Sequence, residues 1–476
     1  MADDLAIADL FPPADESAWK ALVAKTLGET PYESLQRSTV EGLPIAPLYP
    51  ACDTPAQLAL AARDAERPWE VRTLVAHPDP NRANAEALQD LEGGAASVVL
   101  AVDPAGARGV ALGSADDLAR ALQGVVLELA PVALDAGFLG PIAADWLSAA
   151  AKSSPGAKIQ FHLDPLSAFA EQGSSPGPIE GHLVSAATVA ARLAVNYPAA
   201  GLFLASGRVV HEAGGGEAGE LAFAIASALA YAKALVRAGL PMDEAFGRVT
   251  LGLAADGDHF FTIAKLRAVR VLWNRVTSAC GVAVPARVEA RSSRRMLAAQ
   301  DPWTNMLRLT AAGFGAALGG ADAIVLGNFT DAIGLPTPFA RRQSRNTQLV
   351  LMEESHVGRV ADPAAGSGYV EALTDEFARA AWAAFQAIEA RGGLVAALSD
   401  GHVAQSVQAA REARAAAGKA KIVGVTAFPP DSEPKVDVER PAARTADAPS
   451  PRVPGPDGRC PPLAPIRLPE PYEGRA

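Results

Sequence analysis

DPWTNMLRLTAAGFGAALGGADAIVLGNFTDAIGLPTPFARRQSRNTQLVLMEESHVGRVADPAAGSGY, residues 301–369, is the stretch that decides the fold of this chain. Residues 304–318 are rich in Ala and Leu, which favours a helix, and Gly319-Gly320 ends it. The short apolar run 323–326 predicts a strand covered on both faces. A second helix is expected after Pro336. Helix, buried strand and helix in this order are typical of an α/β protein with a parallel sheet.

Outward from this stretch, short apolar runs alternate with alanine-rich segments from about residue 68 onward. This alternation predicts a (β/α)8 barrel, with one or two strands not detected. A doubly wound open sheet is the structural alternative, but no GxGxxG follows the first strand. The candidate strands are 97–102, 125–129, 159–163, 202–205, 249–253, 288–290 and 323–326. Candidate helices between them include 115–122, 220–238 and 260–276.

Composition limits the classes of function. The formal net charge of -11 argues against nucleic acid as the main partner, because phosphate binding needs a basic surface. The longest apolar run, residues 221–232, falls short of the roughly 20 residues that span a bilayer. Hydrophobic residues make up 49% of the chain and aromatic residues only 6%, which predicts a core of Ala, Leu and Val.

The cysteines and the first residues indicate a compartment. Cys52, Cys280 and Cys460 are odd in number and far apart, so neither a disulfide framework nor a zinc knuckle is supported. The acidic start, with Asp3 and Asp4, lacks the basic and then apolar pattern of a signal peptide. We therefore expect a cytoplasmic protein in a reducing environment.

Five short motifs in the opening stretch resemble the acyl-CoA mutase domain of the cobalamin-dependent methylmalonyl-CoA mutase family. They are Asp331-Ala-Ile-Gly-Leu-Pro-Thr337, Phe339-Ala-Arg-Arg342, Arg345-Asn-Thr-Gln-Leu349, Glu353-Glu-Ser355 and Val360-Ala-Asp-Pro363. The resemblance implies the barrel that the alternation also predicts. It further implies an adenosylcobalamin-dependent rearrangement of an acyl-CoA.

The two ends of the chain differ from its middle. Phe11-Pro-Pro13 and the segment 42–50 look like the N-terminal arm of the small subunit in this family, which wraps the partner subunit; without the resemblance, a disordered leader is the alternative. Thirteen of the 37 prolines fall within residues 429–476 and predict a linker or tail, which can still lie ordered along a partner surface. We divide the chain into an arm, 1–67, a barrel with flanking helices, 68–425, and a proline-rich tail, 426–476.

His211 is a candidate acid–base residue, because it follows the predicted strand 202–205. HEAGG is not HExxH, so a zincin is excluded. Catalytic mutase chains resemble this segment but carry a histidine at the position of Val209, and valine neither donates a hydrogen bond nor transfers a proton. We therefore prefer a structural or solvated role for His211 and interpret the site as disabled.

Arg248 and Thr250 match an Arg-x-Ser pair that contacts the acyl-CoA in catalytic members of the family. An arginine at a strand edge can hold a phosphate, and a salt bridge at the barrel rim is an equal alternative. Thr250 has no independent signal. The helix that follows carries four charged residues, and we expect these to form a solvated face: Lys265, Arg267, Arg270 and Arg275.

Two residues are expected to begin helices through their side chains. Asp258, within Asp256-Gly-Asp258-His259, resembles a metal ligand at first sight, but a single loop contributes and a cap for the helix from Phe260 is the simpler interpretation. Thr374 is expected to cap a helix that ends at Gly392-Gly393.

Further departures from the catalytic pattern suggest a non-catalytic chain. Residues 69–78, aligned before the first barrel strand, contain no tyrosine, and residues 185–198 lack the Arg-Asn-Thr-Tyr segment of catalytic chains. No Asp-x-His-x-x-Gly motif of a C-terminal cobalamin-binding domain is present, and we expect no such domain.

The resemblance therefore predicts the small (beta) subunit of an adenosylcobalamin-dependent methylmalonyl-CoA mutase, which interconverts methylmalonyl-CoA and succinyl-CoA. This chain would stabilise a large (alpha) subunit in a heterodimer, and the large subunit would hold adenosylcobalamin. The alternative is the acyl-CoA-binding half of a split mutase whose cobalamin domain is a separate chain. A cobalamin-independent lyase has little support, since no paired carboxylates or metal triad follow the predicted strands.

Overall fold

The computed structural model describes residues 15–60, 63–154, 156–432 and 434–474. Eight parallel strands close into a barrel, as the alternation predicts. Each strand pairs with the next one along the chain, and β6 and β7 are joined by six residue pairs. The strands are β1 Glu70–Val75, β2 Ser97–Ala101, β3 Val132–Asp135, β4 Ile159–Leu163, β5 Gly201–Ser206, β6 Val249–Ala255, β7 Arg287–Ser292 and β8 Ala323–Val325.

Helices surround the barrel and continue beyond it. Buried strands with a helix between each pair form this shape because a parallel sheet must be covered on its outer face. In chain order the helices are α1 Glu16–Leu27, α2 Pro80–Glu92, α3 Ala115–Ala121, α4 Gly140–Ala150, α5 Pro165–Gln172, α6 Ile179–Asn196, α7 Arg208–Glu212, α8 Glu217–Arg237, α9 Met242–Gly247, α10 His259–Ala279, α11 Asn305–Leu318, α12 Pro338–Leu349, α13 Gly368–Ala390, α14 Leu394–Ser399 and α15 His402–Ala416.

Helix α8 is long and apolar enough to cross a membrane. It is instead a core helix of the barrel's outer ring, because 72% of its most apolar window is buried inside the protein. Leu221, Phe223 and Ile225 are among its fully covered side chains.

Six of the eight barrel strands coincide with predicted apolar runs, and two do not. The segment 69–78, which we placed before the first strand, contains β1 itself. The run 125–129 forms a turn, and the third strand begins at Val132. Val126 and Leu129 are exposed, so an apolar run at a turn was mistaken for a buried strand.

The two predicted caps have different outcomes. Asp258 is the N-cap of α10, as expected, and its carboxylate accepts a hydrogen bond from the Phe261 N–H at 3.2 Å. Thr374 is not a cap, because α13 already begins at Gly368. Its hydroxyl lies inside the helix, where it donates to the Val370 carbonyl at 2.7 Å.

The proline-rich tail follows the rim of the barrel at the carboxyl ends of the strands. Its backbone bonds in turn to loops after β8, β2, β4, β5 and β7, which is the order of the strands around the barrel. The pairs, each written with the tail residue first, are Glu439 with Leu335, Ala446 with Pro104, Val453 with Pro176, Ile466 with Glu212, and Leu468 with Arg295. The described tail therefore lies along its own barrel.

The Phe11-Pro-Pro13 motif of the predicted N-terminal arm lies outside the described residues. Glu41 is bound to the barrel, because its carboxylate accepts from the Ala218 and Gly219 N–H groups at the start of α8, both at 2.9 Å. The three-part division of the chain stays a prediction, since arm and tail both make contacts with the barrel.

Two arginines of the stretch 301–369 hold α12 against α2. Arg341 and Arg345 both bind the carboxylate of Asp90, and all three side chains are buried. Arg345 also donates to the Gly93 carbonyl at 2.8 Å, at the end of α2. A carboxylate shared by two buried guanidiniums is charge-assisted on both sides, so this cluster holds the last β/α unit against the first.

We expect Asp90→Asn to remove about 3–5 kcal/mol of folding free energy, because two buried guanidiniums lose their shared anion. Asp375→Asn is the matched control: its carboxylate is 54% exposed in an i,i+4 pair with Arg379, and such pairs contribute less than about 1 kcal/mol. Thermal and urea unfolding of both variants measure the difference. Equal losses would contradict a structural role for the cluster.

Candidate functional site

The loop after β5 is the site at which a barrel enzyme of this kind would carry its catalytic histidine, because the carboxyl ends of barrel strands form the active face. Here the short helix α7 holds Val209 and His211. Val209 is buried in the main hydrophobic core, with an apolar side chain at the expected histidine position. The structure thus offers no proton-transfer group at this residue.

His211 is completely enclosed. Its Nε2 lies 2.8 Å from the Ser293 hydroxyl and 3.2 Å from the Asp256 carboxylate, and its Nδ1 lies 3.3 Å from the Glu220 carboxylate. Because solvent does not reach the ring, His211 is a structural residue and not a solvated one.

The Glu220 carboxylate lies at the centre of this buried cluster. It accepts from Lys265 Nζ and from the Ala254 N–H, both at 2.6 Å. Burial alone raises the pKa of Glu220, but the charge of Lys265 and the ring of His211 outweigh burial and bring the pKa to about 2. Asp256 is held in the same way, since burial is outweighed by His211 and Arg295 and its pKa lies well below the usual range.

The prediction of a solvated face on α10 is wrong for three of its four charged residues. Lys265, Arg267 and Arg270 are buried, and each is paired inside the protein. Arg267 binds Glu371 and Asp362, which lie in and before α13, and Arg270 binds the Ala286 carbonyl. The reason is that α13 packs over the side of α10 that carries these three residues, whereas Arg275 is exposed as expected.

Arg248 lies directly before β6, at the amino end of the barrel and therefore opposite the active face. Its guanidinium donates to the carbonyls of Ala200 and Tyr197 at 3.0 and 3.3 Å and binds Glu244 at 2.7 Å. Thr250 is buried two residues further along β6. The two residues lie close together. Arg248 forms a salt bridge at the barrel rim with Glu244, which was the alternative to phosphate binding. An acyl-CoA contact at either residue stays a prediction.

Sequence reasoning missed a set of charged side chains inside the barrel. Glu289 of β7 accepts from Arg72 of β1 at 2.6 Å and from Arg291 of its own strand at 2.7 Å. Arg291 also binds Asp135 at the end of β3, at 2.6 Å. These side chains close the barrel interior, which in most such barrels is packed with aliphatic layers. The signal was present in Arg287-Val-Glu-Ala-Arg291, where charges alternate within a strand predicted to be buried.

The electrostatics of this interior set are strongly coupled. Burial raises the pKa of Glu289, but Arg291, His162 and Arg72 outweigh it and leave the pKa far below the usual range. Burial lowers the pKa of His162 to about 4, so this ring is neutral near pH 7. The charged side chains in the barrel interior are therefore paired with one another, and the His162 ring among them is neutral.

Asp164 follows β4 and carries the most unusual carboxyl group at the active face. It accepts from the Tyr231 hydroxyl at 2.5 Å and from the Ser167 N–H at 3.2 Å. Burial nevertheless raises its pKa to about 7, against the lowering effect of these hydrogen bonds. The raised pKa of Asp164 therefore lies near neutral pH.

A metal or cobalamin cobalt has no evident ligand here. No three His, Cys, Asp or Glu side chains converge as metal ligands within the part of the chain that the structure describes. At the active face, His162 and His211 are both enclosed, and His211 is already engaged by Ser293. Neither His162 nor His211 therefore fits as a ligand of a corrin cobalt.

The fold and the site together define a (β/α)8-barrel protein with Val209 at the position where a histidine was expected and with buried ion pairs in the barrel interior. The chain belongs to the methylmalonyl-CoA mutase family: the profile of that family, described as "Methylmalonyl-CoA mutase", matches residues 61–449. The family implies an adenosylcobalamin-dependent enzyme complex.

Several relatives match across most of both chains. The methylmalonyl-CoA mutase small subunit of Streptomyces virginiae is 38% identical over 95% of this chain and 76% of its own length. The probable small subunit of Mycobacterium tuberculosis is 39% identical, over 86% of this chain and 68% of its own. The small subunit of Propionibacterium freudenreichii subsp. shermanii is 35% identical, over 89% and 70%. The names of these relatives imply a large-subunit partner.

The pKa of Asp164 leads to a test. A carboxyl whose pKa is higher in the folded state than the usual 3.8 stabilises the fold fully at low pH, and this contribution is lost as pH rises through about 7. We expect Asp164→Asn to be more stable relative to the natural chain at pH 8 than at pH 5.

Melting temperatures at both pH values check this, with Asp116→Asn, an exposed carboxylate of α3, as the control. A stability difference that does not change between pH 5 and pH 8 would contradict the assignment.

Proposed function

We propose that this chain is the non-catalytic small (beta) subunit of an adenosylcobalamin-dependent methylmalonyl-CoA mutase. The holoenzyme would interconvert methylmalonyl-CoA and succinyl-CoA, with cobalamin supplying the radical chemistry. The observation that carries the proposal is the closed barrel: Val209 replaces the catalytic histidine, and the interior is filled by Glu289, Arg72 and Arg291. An elongated acyl-CoA cannot enter this interior unless these buried ion pairs are broken.

A second observation supports a partner. Helix α1 has 12 residues and buries none of them against the described part of the chain. Trp19, Leu22 and Val23 share one face, since residues three and four apart are neighbours on a helix. A helix of this length is marginal in water by itself and gains its stability from packing. We infer that this apolar face docks on the large subunit, which would also hold the adenosylcobalamin.

We further propose that the complex is cytoplasmic. Cys52, Cys280 and Cys460 are all free thiols, which fits a reducing compartment. Fractionation of cells that produce the tagged chain tests this placement, and recovery in a membrane or secreted fraction would contradict it.

The division of labour is tested by producing the chain with and without the large subunit and assaying methylmalonyl-CoA conversion with added adenosylcobalamin. We expect turnover only with the large subunit, and no saturable acyl-CoA binding to the isolated chain. Binding that is weakened at least tenfold by Arg248→Gln, or turnover with only a separate cobalamin-binding chain added, would instead establish the split-mutase alternative.

For the docking of α1, we expect the double variant Trp19→Ala, Leu22→Ser to weaken association with the large subunit at least tenfold. Burying one large apolar side chain contributes about 1.5–3 kcal/mol, and tenfold corresponds to about 1.4 kcal/mol. The melting temperature of the isolated chain should change little, because neither residue is buried in it and Trp19 makes one edge-on contact, with Tyr32.

The control is Val195→Ser, a side chain that is 82% exposed at the end of α6. Analytical ultracentrifugation of the mixed subunits gives the affinities. Equal affinity of the double variant and the control would exclude α1 from the interface.

A further inference from the structure

We propose that the active face of the barrel contains a binding site for a small oxyanion, centred on Arg208 and completed by Arg291 and His162. This site is independent of the proposed function, because it requires neither acyl-CoA nor the large subunit.

Arg208 is a cation to which no carboxylate is bonded among the described residues, although Glu212, Asp135 and Glu289 act on it from a distance. It lies on α7, directly after β5, and no hydrogen bond or salt bridge to its side chain is found among the described residues. Its Nε is enclosed and has no partner. Burial lowers the pKa of Arg208, and the nearby positive charge of Arg291 lowers it further. A partly desolvated guanidinium is unfavourable unless an acceptor pairs with it.

Two more side chains have unused nitrogen atoms at the same end of the barrel. Arg291 is 5% exposed and uses Nε and Nη1 for Glu289 and Asp135, whereas its Nη2 is enclosed and unpartnered within the described chain. Both ring nitrogens of His162 are likewise without a hydrogen-bond partner there. The φ of His162 is +47°, in the left-handed region that non-glycine residues rarely adopt.

The strained conformation of His162 occurs at an irregularity in β4, where the register with β5 shifts between Gln160 and Leu163. Such strain tends to occur at functional sites. The three residues lie around the carboxylates of Asp135 and Glu289. Arg291 binds both carboxylates, and Nδ1 of His162 lies 4.0 Å from Glu289. Both carboxylates also act on the pKa of Arg208.

Solvent reaches the rim of this centre, although the unused nitrogens themselves are enclosed. The Asp135 side chain is 49% exposed although it pairs with Arg291 inside the barrel mouth, and Arg208 is partly exposed. Below this level, the ion pairs of Glu289 with Arg72 and Arg291 form a closed floor. We call the space between this rim and this floor the cup; a compact ligand would lie above the floor, whereas a long one would have to pass through it.

The acidic groups that face the cup are already neutralised or engaged. Asp135 is paired with Arg291, and burial raises the pKa of Asp164 to about 7, so that a large share of it is protonated at neutral pH. The Glu212 carboxylate accepts the N–H groups of Arg294 and Arg295, each at 3.1 Å. The free hydrogen-bond donors therefore determine which ligand the site prefers, namely an anion. The planar guanidinium of Arg208 matches a phosphate or a carboxylate.

The test measures binding of inorganic phosphate and of succinate to the full chain at pH 7 by isothermal titration and melting temperature, at ionic strength matched with sodium chloride. We expect a saturable rise in melting temperature with at least one of them, since a ligand that binds only the folded state stabilises it. The tighter of the two identifies whether the site prefers a phosphate or a carboxylate.

Arg208→Gln should weaken binding at least tenfold, and Arg208→Lys should weaken it less because the charge is kept without the fork. Arg108→Gln is the control for net charge: Arg108 is 69% exposed, after β2 at the same face, and should leave binding unchanged. Melting without anion verifies folding, and Arg208→Gln should not lower it, since no partner is lost. No saturable response, or equal loss in Arg208→Gln and Arg108→Gln, would overturn the proposal.

Discussion

The buried carboxylate of Glu289 is the interaction on which the barrel depends. It joins Arg72 of β1 to β7, across a separation of 217 residues, and through Arg291 it also reaches Asp135 of β3. Three strands are thus tied together across the interior of the barrel by charges with little water around them. Removal of one partner from such a set is strongly destabilising, because it leaves an uncompensated buried charge. The interior therefore cannot open for a ligand without the loss of its own order.

The same principle explains how a chain with 6% aromatic residues fills a large core. Alanine lets the helices approach the strands closely, and long cationic side chains then occupy the remaining volume. Arg267, Arg270 and Arg345 are buried, with their guanidiniums bound to carboxylates or main-chain carbonyls. Their aliphatic stems pack as apolar groups do, which makes each of them part of the core and an ion-pair partner at once.

The strands of the barrel could largely be predicted from the sequence, whereas the buried ion pairs could not. Alternating apolar runs predicted the barrel and six strands, because strand burial is a local property. They missed β1, since Glu70 and Arg72 interrupt its apolar pattern, and the interior charges require pairing across hundreds of residues. The structural role of His211 was predictable from Val209 and the surrounding motif, whereas its enclosure by Glu220 and Asp256 was not. The exposure of the charged residues of α10 was predicted wrongly, because nothing in the local sequence indicates that α13 packs over them.

The tail bears directly on function. Proline-rich composition predicted a linker, yet residues 434–474 bond to the loops at the active face in strand order. Proline fixes φ and lowers the entropy of the unfolded chain, so an extended segment can be held by few hydrogen bonds. Barrel enzymes enclose their substrates by moving such loops. Loops tied to a common segment cannot move independently, and Arg411 adds a bond to the Ala213 carbonyl in the loop after α7. A fixed rim suits a chain that serves as a rigid support and not as a catalyst.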